Sequence, residues 1–217
     1  MRRSTGALFC AAALAAAIVP AFALGPVDGE VSALYWGSKT EIATLDEGSG
    51  APGGRADLWF FDRWGASAAM FEPSPEGDLS GSDIGYANVD LKWRFLSATR
   101  NNFLAVGAGW ERFTLDGLAD GQSDGVRVVA EGRVGIVKVL YFYGRAAYLP
   151  SLSDLDTGSV VLTDGSGSEG EVGLQLKPWP FVQFFAGWRQ NKTEFRSVAG
   201  DLSFENKGPV VGMGVNF

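Results

Sequence analysis

Histidine is absent from the 217 residues, and cysteine occurs only once. Without histidine the chain has no Ser–His or Cys–His catalytic pair and no imidazole metal ligand, so we expect no cofactor and no metal site. Basic residues are outnumbered by acidic ones, 18 to 25, and a net charge of −7 argues against a nucleic-acid partner. Beyond the first two dozen residues no apolar run is long enough for a membrane-spanning helix.

The first 23 residues follow the three-part plan of a secretory signal peptide. A basic start at residues 1–3 precedes an Ala- and Leu-rich stretch at 6–19, and Ala-Phe-Ala at 21–23 is a typical cleavage site. An uncleaved membrane anchor is the alternative, which the short apolar run disfavours. We therefore expect a signal peptide over 1–23 and a single mature domain over 24–217, without disulfides because the one cysteine lies in the signal.

What the mature chain has in abundance is alternation of apolar and polar residues. Between positions 87 and 95, for example, apolar and polar side chains alternate: Ala87, Val89, Leu91, Trp93 and Phe95 with Asn88, Asp90, Lys92 and Arg94 between them. A period of two is typical of a β-strand with one apolar and one polar face, whereas a helix would space apolar residues three and four apart. Similar segments recur to the C-terminus, and we predict ten strands, at about 29–40, 54–62, 64–72, 84–96, 102–114, 125–137, 139–150, 169–177, 181–191 and 208–217.

Two kinds of connection alternate between these segments. Short ones are predicted at 62–65, 97–101, 137–139 and 177–180, and long polar ones at 41–53, 72–82, 116–125, 151–168 and 191–208. Tight turns at one end and long loops at the other indicate a closed antiparallel up-and-down transmembrane β-barrel. Such barrels have an even strand number, and splitting the aromatic stretch 56–71 into two strands gives ten. Eight strands is the alternative, if that whole stretch is a loop.

The position of the aromatic residues separates a membrane barrel from a soluble one. In a soluble β-sandwich or lipocalin-like barrel the apolar face points inward. Here the apolar faces carry tryptophans near strand ends, while charged residues occupy the opposite face in mid-strand. We therefore predict that Trp93, Trp110 and Trp188 lie at a membrane interface, as the aromatic girdles of transmembrane barrels do.

The last ten residues, Gly-Pro-Val-Val-Gly-Met-Gly-Val-Asn-Phe, resemble the C-terminal recognition signal of bacterial outer-membrane proteins. Phe217 matches the terminal aromatic residue and Gly212 the internal glycine. Val215 stands where a second aromatic residue is common, and Val210 where a polar residue is common. With the signal peptide and the alternation, the chain is similar to small outer-membrane β-barrels of Gram-negative bacteria. That resemblance implies outer-membrane localisation, the barrel assembly machinery as a partner during biogenesis, and outer-membrane lipid and lipopolysaccharide as neighbours.

Charged side chains are predicted to fill the inside of this barrel. The candidate lumen residues are Asp90, Lys92, Arg94, Glu111, Arg127, Glu131, Arg133, Arg145, Glu171, Lys177 and Arg189. A narrow barrel is filled by its own side chains, and buried charges must be paired, so an internal salt-bridge lattice is expected. The alternative is a narrow, anion-tolerant passage, because bases exceed acids in this set.

Three functions are compatible with these patterns. The first is an outer-membrane barrel with a structural or narrow passive-channel role and no catalysis. The second is an enzyme that modifies envelope lipids with carboxylate chemistry through Glu111 or Glu131. The enzymes of similar barrels (lipid A deacylases, phospholipases and omptin-type proteases) rely on histidine, so the resemblance does not carry their activities over. The third is a surface binding or adhesion module that acts through the long segments at 151–168 and 191–208.

Overall fold

The computed structural model describes residues 27–42, 45–117, 120–158, 161–197 and 200–217. The predicted signal peptide, its cleavage site and the predicted domain start at residue 24 lie outside these residues, so the signal and the domain boundary stay predictions. No helix in the described part of the chain is long and apolar enough to cross a membrane.

Almost all described residues belong to antiparallel strands, in the order β1 Val27–Ile42, β2 Leu45–Phe60, β3 Trp64–Phe71, β4 Ser74–Pro75, β5 Asp83–Thr99, β6 Asn102–Asp116, β7 Gly121–Val137, β8 Leu140–Leu152, β9 Leu155–Asp156, β10 Val161–Trp179, β11 Val182–Ser197 and β12 Gly200–Asn216. A single turn of 3₁₀-helix, Gly77–Leu79, lies between β4 and β5. β4 and β9 are two-residue additions that pair with β2 and β10.

The ten long strands close into a barrel. Each pairs with its neighbour in the chain, and β1 pairs with both β2 and β12, so no open edge remains between the first and last strands. The predicted closed antiparallel barrel is confirmed, with ten strands rather than eight. The aromatic stretch forms two separate strands because the chain reverses at Phe61–Arg63, where Phe61 and Asp62 adopt positive φ angles of 52° and 59°.

The two ends of the barrel differ. At one end, which we call the turn end, the strands are joined by connections at 61–63, 100–101, 138–139 and 180–181, and Phe217 is hydrogen-bonded to Gly29. These are the four predicted short turns. At the other end, the loop end, the prediction of five long loops is wrong for most of their residues. Segments 45–53, 161–168 and 200–208 are strand residues whose backbone groups pair with a neighbouring strand.

Strand pairing therefore continues well beyond the length that a bilayer needs. β10 has 19 residues and β11 has 16, whereas a tilted strand crosses a membrane with about 9–11 residues. The polar composition of these segments predicted loops, because solvent-exposed strands and loops are both rich in polar residues. In the folded chain the backbone of these polar segments is paired in hairpins, which leaves few unpaired polar groups.

Hydrophobic and charged side chains are distributed inside out relative to a soluble protein. On β5, Leu91 is 72% exposed on the outer wall, while its neighbour Lys92 is 3% exposed in the lumen. The same contrast holds on other strands, where Val128, Val172 and Val211 face outward. A broad apolar outer surface around a polar interior has no favourable contacts in water and matches a lipid environment.

At the loop end the lumen is filled by an apolar plug, formed by Ile84, Tyr86, Phe113, Leu115, Leu149, Leu152, Leu155, Leu162, Phe195 and Phe204. The ring centroids of Phe113 and Phe204 are 5.4 Å apart, and those of Phe113 and Phe195 are 5.8 Å apart. Its members come from β5, β6, β8, β9, β10, β11 and β12, so the plug spans the barrel. Phe113 and Phe195 share the parity of the inward residues Glu111 and Arg189 on their strands, so the period of two is consistent with their position in the lumen.

Candidate functional site in the barrel lumen

The eleven predicted lumen residues all point into the barrel, where they lie at most 14% exposed. Their ion pairs join neighbouring strands as well as strands far apart in the chain, and they fall into three groups at successive heights. We name these the lower, middle and upper clusters, counting from the turn end.

The lower cluster is centred on Glu30 of β1. Arg133 donates two hydrogen bonds to its carboxylate, with Nη1–Oε1 and Nη2–Oε2 distances of 2.7 and 2.8 Å. Lys177 Nζ lies 2.7 Å from Glu30 Oε1, and both cations also donate to Asn101 Oδ1. One carboxylate and one amide oxygen thus satisfy donors from two strands, β7 and β10.

The middle cluster contains two cations and two carboxylates. Lys92 Nζ donates to Asp57 Oδ1 at 2.6 Å and to Glu131 Oε2 at 2.7 Å. Arg145 Nη2 donates to Asp57 Oδ2 at 3.0 Å, and its Nε lies 3.6 Å from Glu131. The charges of this group cancel, which is what the low dielectric of a filled lumen requires.

The upper cluster is a chain of alternating charges. Arg55 donates two hydrogen bonds to Glu171, and Arg189 bridges Glu171 and Glu169 at 2.9 and 3.1 Å. Arg127 continues the chain, because it contacts Glu169 at 3.3 Å as well as Glu111 and Asp90. Every predicted lumen residue except Arg94 therefore has an ion-pair partner in one of the three clusters.

Sequence reasoning missed four of the charged lumen residues: Glu30, Arg55, Asp57 and Glu169. Arg55 and Asp57 share the inward face of β2 with Trp59, so the period of two contained the signal that finds them. Glu169 stands at the predicted start of its strand, whereas it lies well inside β10 and its carboxylate bonds to Arg127 and Arg189.

With these residues included, the expected excess of bases nearly disappears. The lumen contains seven carboxylates (Glu30, Asp57, Asp90, Glu111, Glu131, Glu169, Glu171) and eight cations (Arg55, Lys92, Arg94, Arg127, Arg133, Arg145, Lys177, Arg189). The mildly basic interior expected from the sequence is therefore close to neutral, and Arg94 is the cation in excess.

Arg94 makes a different kind of contact from the other lumen cations. Its guanidinium carbon lies 3.8 Å from the ring centroid of Trp59 and 4.1 Å from that of Phe103, so the group packs against two aromatic rings that also contact each other. No carboxylate of the described residues lies within ion-pair distance of it. Cation–π contact stabilises the charge but uses the face of the guanidinium and leaves its N–H groups at the edge.

Little free space remains along the axis. Within the middle and upper clusters a cavity of about 30 Å³ is lined by Arg55, Asp90, Lys92, Glu131 and Arg145 among others, which is room for about one water molecule. At the turn end a larger vestibule of about 520 Å³ is lined by Glu30, Trp59, Arg94, Tyr141 and Lys177 together with rim residues. Its inner end meets the ion-paired clusters, and the plug closes the far end of the barrel.

The other predicted functional residues lie on the outer wall and at the closing seam. Trp93, Trp110 and Trp188 all face outward and are 41–52% exposed. Val215 faces outward on β12, opposite Val31 and Val182.

Gly212 and Phe217 are tightly fitted at the same seam. A Cβ atom on Gly212 would lie 2.5 Å from the carbonyl oxygen of Ala33, and one on Gly29 would overlap the ring of Phe217. The backbone N–H groups of Gly29 and Phe217 donate to each other's carbonyl oxygens at 2.9 and 3.0 Å. The C-terminal residue therefore completes the β1–β12 seam.

Among described residues, no group of three or more Cys, His, Asp or Glu side chains is arranged to hold a metal ion. No family model matches the sequence, and no curated protein matches it.

Solved structures do match the fold. The outer-membrane protease OmpT from Escherichia coli aligns with a TM-score of 0.55 at 9% sequence identity, over 89% of this chain and 93% of that one. This chain has the fold of a bacterial outer-membrane β-barrel. The translocator domain of the autotransporter NalP from Neisseria meningitidis aligns with a TM-score of 0.44 at 14% identity, over 99% and 98% of the two chains. The outer-membrane protein OprG from Pseudomonas aeruginosa gives 0.33 at 14% identity, over 88% and 94%.

Proposed function

We propose that this protein is an integral outer-membrane β-barrel with a sealed lumen and a structural role, without catalysis. The observation that carries the proposal is the barrel wall, which is apolar on its outer face and charged on its inner face. Val89 and Leu91 are exposed on the outer surface, whereas Asp90 and Lys92, which alternate with them along β5, are buried and ion-paired. Exposing this apolar belt to water would be unfavourable by about 25 cal/mol for each Å² that lipid would otherwise cover.

Targeting and orientation follow from the same fold. In the proposal, residues 1–23 direct export and are removed, and 24–217 form the barrel domain. The turn end, which carries both barrel termini, faces the periplasm, and the loop end faces outward into the lipopolysaccharide layer. Trp93, Trp110 and Trp188 act as interface anchors. Gly212, Val215 and Phe217 form the signal that the barrel assembly machinery reads.

A sealed lumen is favoured over a passive channel by two successive barriers. The three clusters leave a cavity the size of one water molecule, and the plug then fills the outer part of the lumen with apolar side chains. An ion crossing this barrel would have to break buried ion pairs and enter an apolar layer, and both steps are costly.

The same geometry supports the absence of catalysis. Glu111 and Glu131, the carboxylates considered for acid–base chemistry, bond to Arg127 and Lys92 inside the lumen, below the plug. A general base needs contact with its substrate, and the plug separates these carboxylates from the outer surface. The likeness to a protease is one of fold, at 9% identity.

Heat modifiability on a gel tests the membrane assignment. A folded barrel isolated from the membrane fraction is expected to migrate at a different apparent mass before and after boiling. Identical migration, with the protein in the soluble fraction, would contradict it.

Conductance across planar bilayers tests the sealed lumen. We expect no discrete openings from the purified, heat-modifiable protein, measured beside a general porin as a positive control. Reproducible unitary steps would show that the lumen conducts and would favour the passive-channel alternative.

A further inference from the structure

Arg94 is the one lumen cation that has no carboxylate within ion-pair distance among the described residues. Its side chain is 3% exposed, and its Nε and Nη1 atoms are buried without a hydrogen-bond partner. Buried polar groups almost always have partners, and an unfilled donor on a charged group is costly. The other orphaned guanidinium atoms of the lumen belong to arginines that are already ion-paired, such as Arg55 and Arg189.

The position of this guanidinium is fixed by its neighbours. The guanidinium packs against the rings of Trp59 and Phe103 at 3.8 and 4.1 Å, and the backbone N–H of Arg94 donates to the carbonyl oxygen of Arg63 at 2.8 Å. Aromatic rings accept no ordinary hydrogen bond, so Nε and Nη1 keep their donors for a ligand. A guanidinium edge presents parallel N–H groups that match two oxygens of a carboxylate or phosphate.

The vestibule at the turn end adjoins the Arg94 side chain. Arg94 forms part of its wall, and the same wall contains Arg100, Lys138 and Lys177. Arg100 is paired with Asp28 and Lys177 with Glu30, so the two acidic side chains of the wall are already engaged by other cations. The vestibule is open at the turn end and meets the ion-paired clusters at its inner end, which makes it a blind pocket.

We propose that the vestibule is a binding site for an oxyanion, a carboxylate or a phosphate group, coordinated through the edge of Arg94. Lys138 at the rim adds to the positive potential that attracts the anion. The aromatic side chains of Trp59, Tyr141 and Trp179 in the same wall provide surface for an apolar or planar part of the ligand. The site requires only the folded barrel and is independent of whether the lumen conducts.

The phosphate or carboxylate could be part of a soluble molecule or of a lipid headgroup. Arg94 also borders a second hollow of about 730 Å³ beside residues 61–63 and 95–100 at the turn end, where a lipid headgroup could approach. The test therefore uses three probes: inorganic phosphate and acetate with the protein in a non-ionic detergent, and nanodiscs with or without phosphatidylglycerol.

Isothermal titration at low ionic strength measures the binding. We expect saturable binding of phosphate or acetate, weakened by about 10- to 100-fold in Arg94→Gln because a charge-assisted hydrogen-bond pair is lost. Arg196→Gln removes an equal charge from an exposed loop-end position and is the matched control, expected to bind as the wild type does. If phosphatidylglycerol in the nanodisc abolishes phosphate binding, the lipid headgroup is the occupant; if it does not, the ligand is soluble.

Folding is recorded on the same samples by heat modifiability, so loss of the barrel and loss of the site are distinguishable. Arg94→Lys keeps the charge but not the paired donors, and Lys138→Glu changes only an exposed rim residue. Both are expected to fold and to bind phosphate more weakly. The proposal is overturned if the folded wild type binds neither anion saturably, or if the folded Arg94 and Lys138 variants bind as tightly as the wild type.

Discussion

Replacing Glu171 by glutamine tests whether the ion pairs in the lumen hold the barrel together. The Glu171 carboxylate accepts two hydrogen bonds from Arg55, at 3.1 and 2.5 Å, and one from Arg189 at 2.9 Å. The side chains of these three residues are at most 4% exposed. Glutamine keeps the shape of the side chain but removes the charge.

The size of the expected stability loss follows from the carboxylates that remain for Arg55 and Arg189 in the variant. Arg189 retains Glu169 at 3.1 Å, whereas Arg55 has no second carboxylate within 4 Å among the described residues. One buried guanidinium is then uncompensated, and we expect the free energy of unfolding to fall by about 3–5 kcal/mol. That is a large part of the roughly 5–15 kcal/mol that stabilises a typical domain.

A reversible denaturant titration of the refolded barrel in lipid vesicles, followed by tryptophan fluorescence, gives the free energy from its midpoint and slope. Glu194→Gln is the matched control, because it breaks the Lys192–Glu194 pair at an exposed site and should change stability by less than about 1 kcal/mol. The double variant Glu171→Gln/Arg55→Gln removes both charges and should recover part of the loss. A Glu171→Gln effect no larger than that of Glu194→Gln would refute the reasoning.

Three further predictions concern other parts of the barrel. Leu91→Arg places a charge on the lipid face and should lower the free energy of unfolding by about 2–4 kcal/mol in the same titration. An unchanged free energy of unfolding would show that this face does not contact lipid. Phe113→Ala opens a hole in the plug and should cost about 3–5 kcal/mol, whereas a much smaller loss would mean that the plug is loosely packed. Phe217→Ser should reduce the heat-modifiable protein in the outer-membrane fraction of cells without preventing refolding of the purified chain in vitro. Equal membrane amounts of variant and wild type would argue against an assembly signal at the C-terminus.

Local pattern predicted the architecture of this barrel well, because strand geometry is local. Side chains alternate between two faces with a period of two in any extended strand, so Leu91 and Lys92 had to lie on opposite sides of the wall. The strand number followed in the same way, since the Asp62–Gly65 region offered the chain reversal that an even count needed. Neither inference required knowledge of which strands meet across the lumen.

The same reasoning failed where composition alone was used. Polar residues at 161–168 and 200–208 were predicted to be loops, yet their backbone is paired in β-hairpins above the apolar belt. Phe113 and Phe195 share the inward parity of Glu111 and Arg189, but only the structure shows that they pack together as a plug. The error about the loops arises because composition does not record whether a polar segment is paired in a strand.

The sequence by itself determined a ten-strand barrel with an apolar outer wall and a charged lumen, because these properties depend on alternation and turn chemistry within short segments. Only the tertiary structure decided how the charges pair. Arg55 and Glu171 are 116 positions apart, and Arg133 and Glu30 are 103 apart. Such partners are set by barrel diameter and strand stagger, which belong to the closed sheet as a whole. Closure and register also left Arg94 without a carboxylate, and they placed the plug across one end of the lumen.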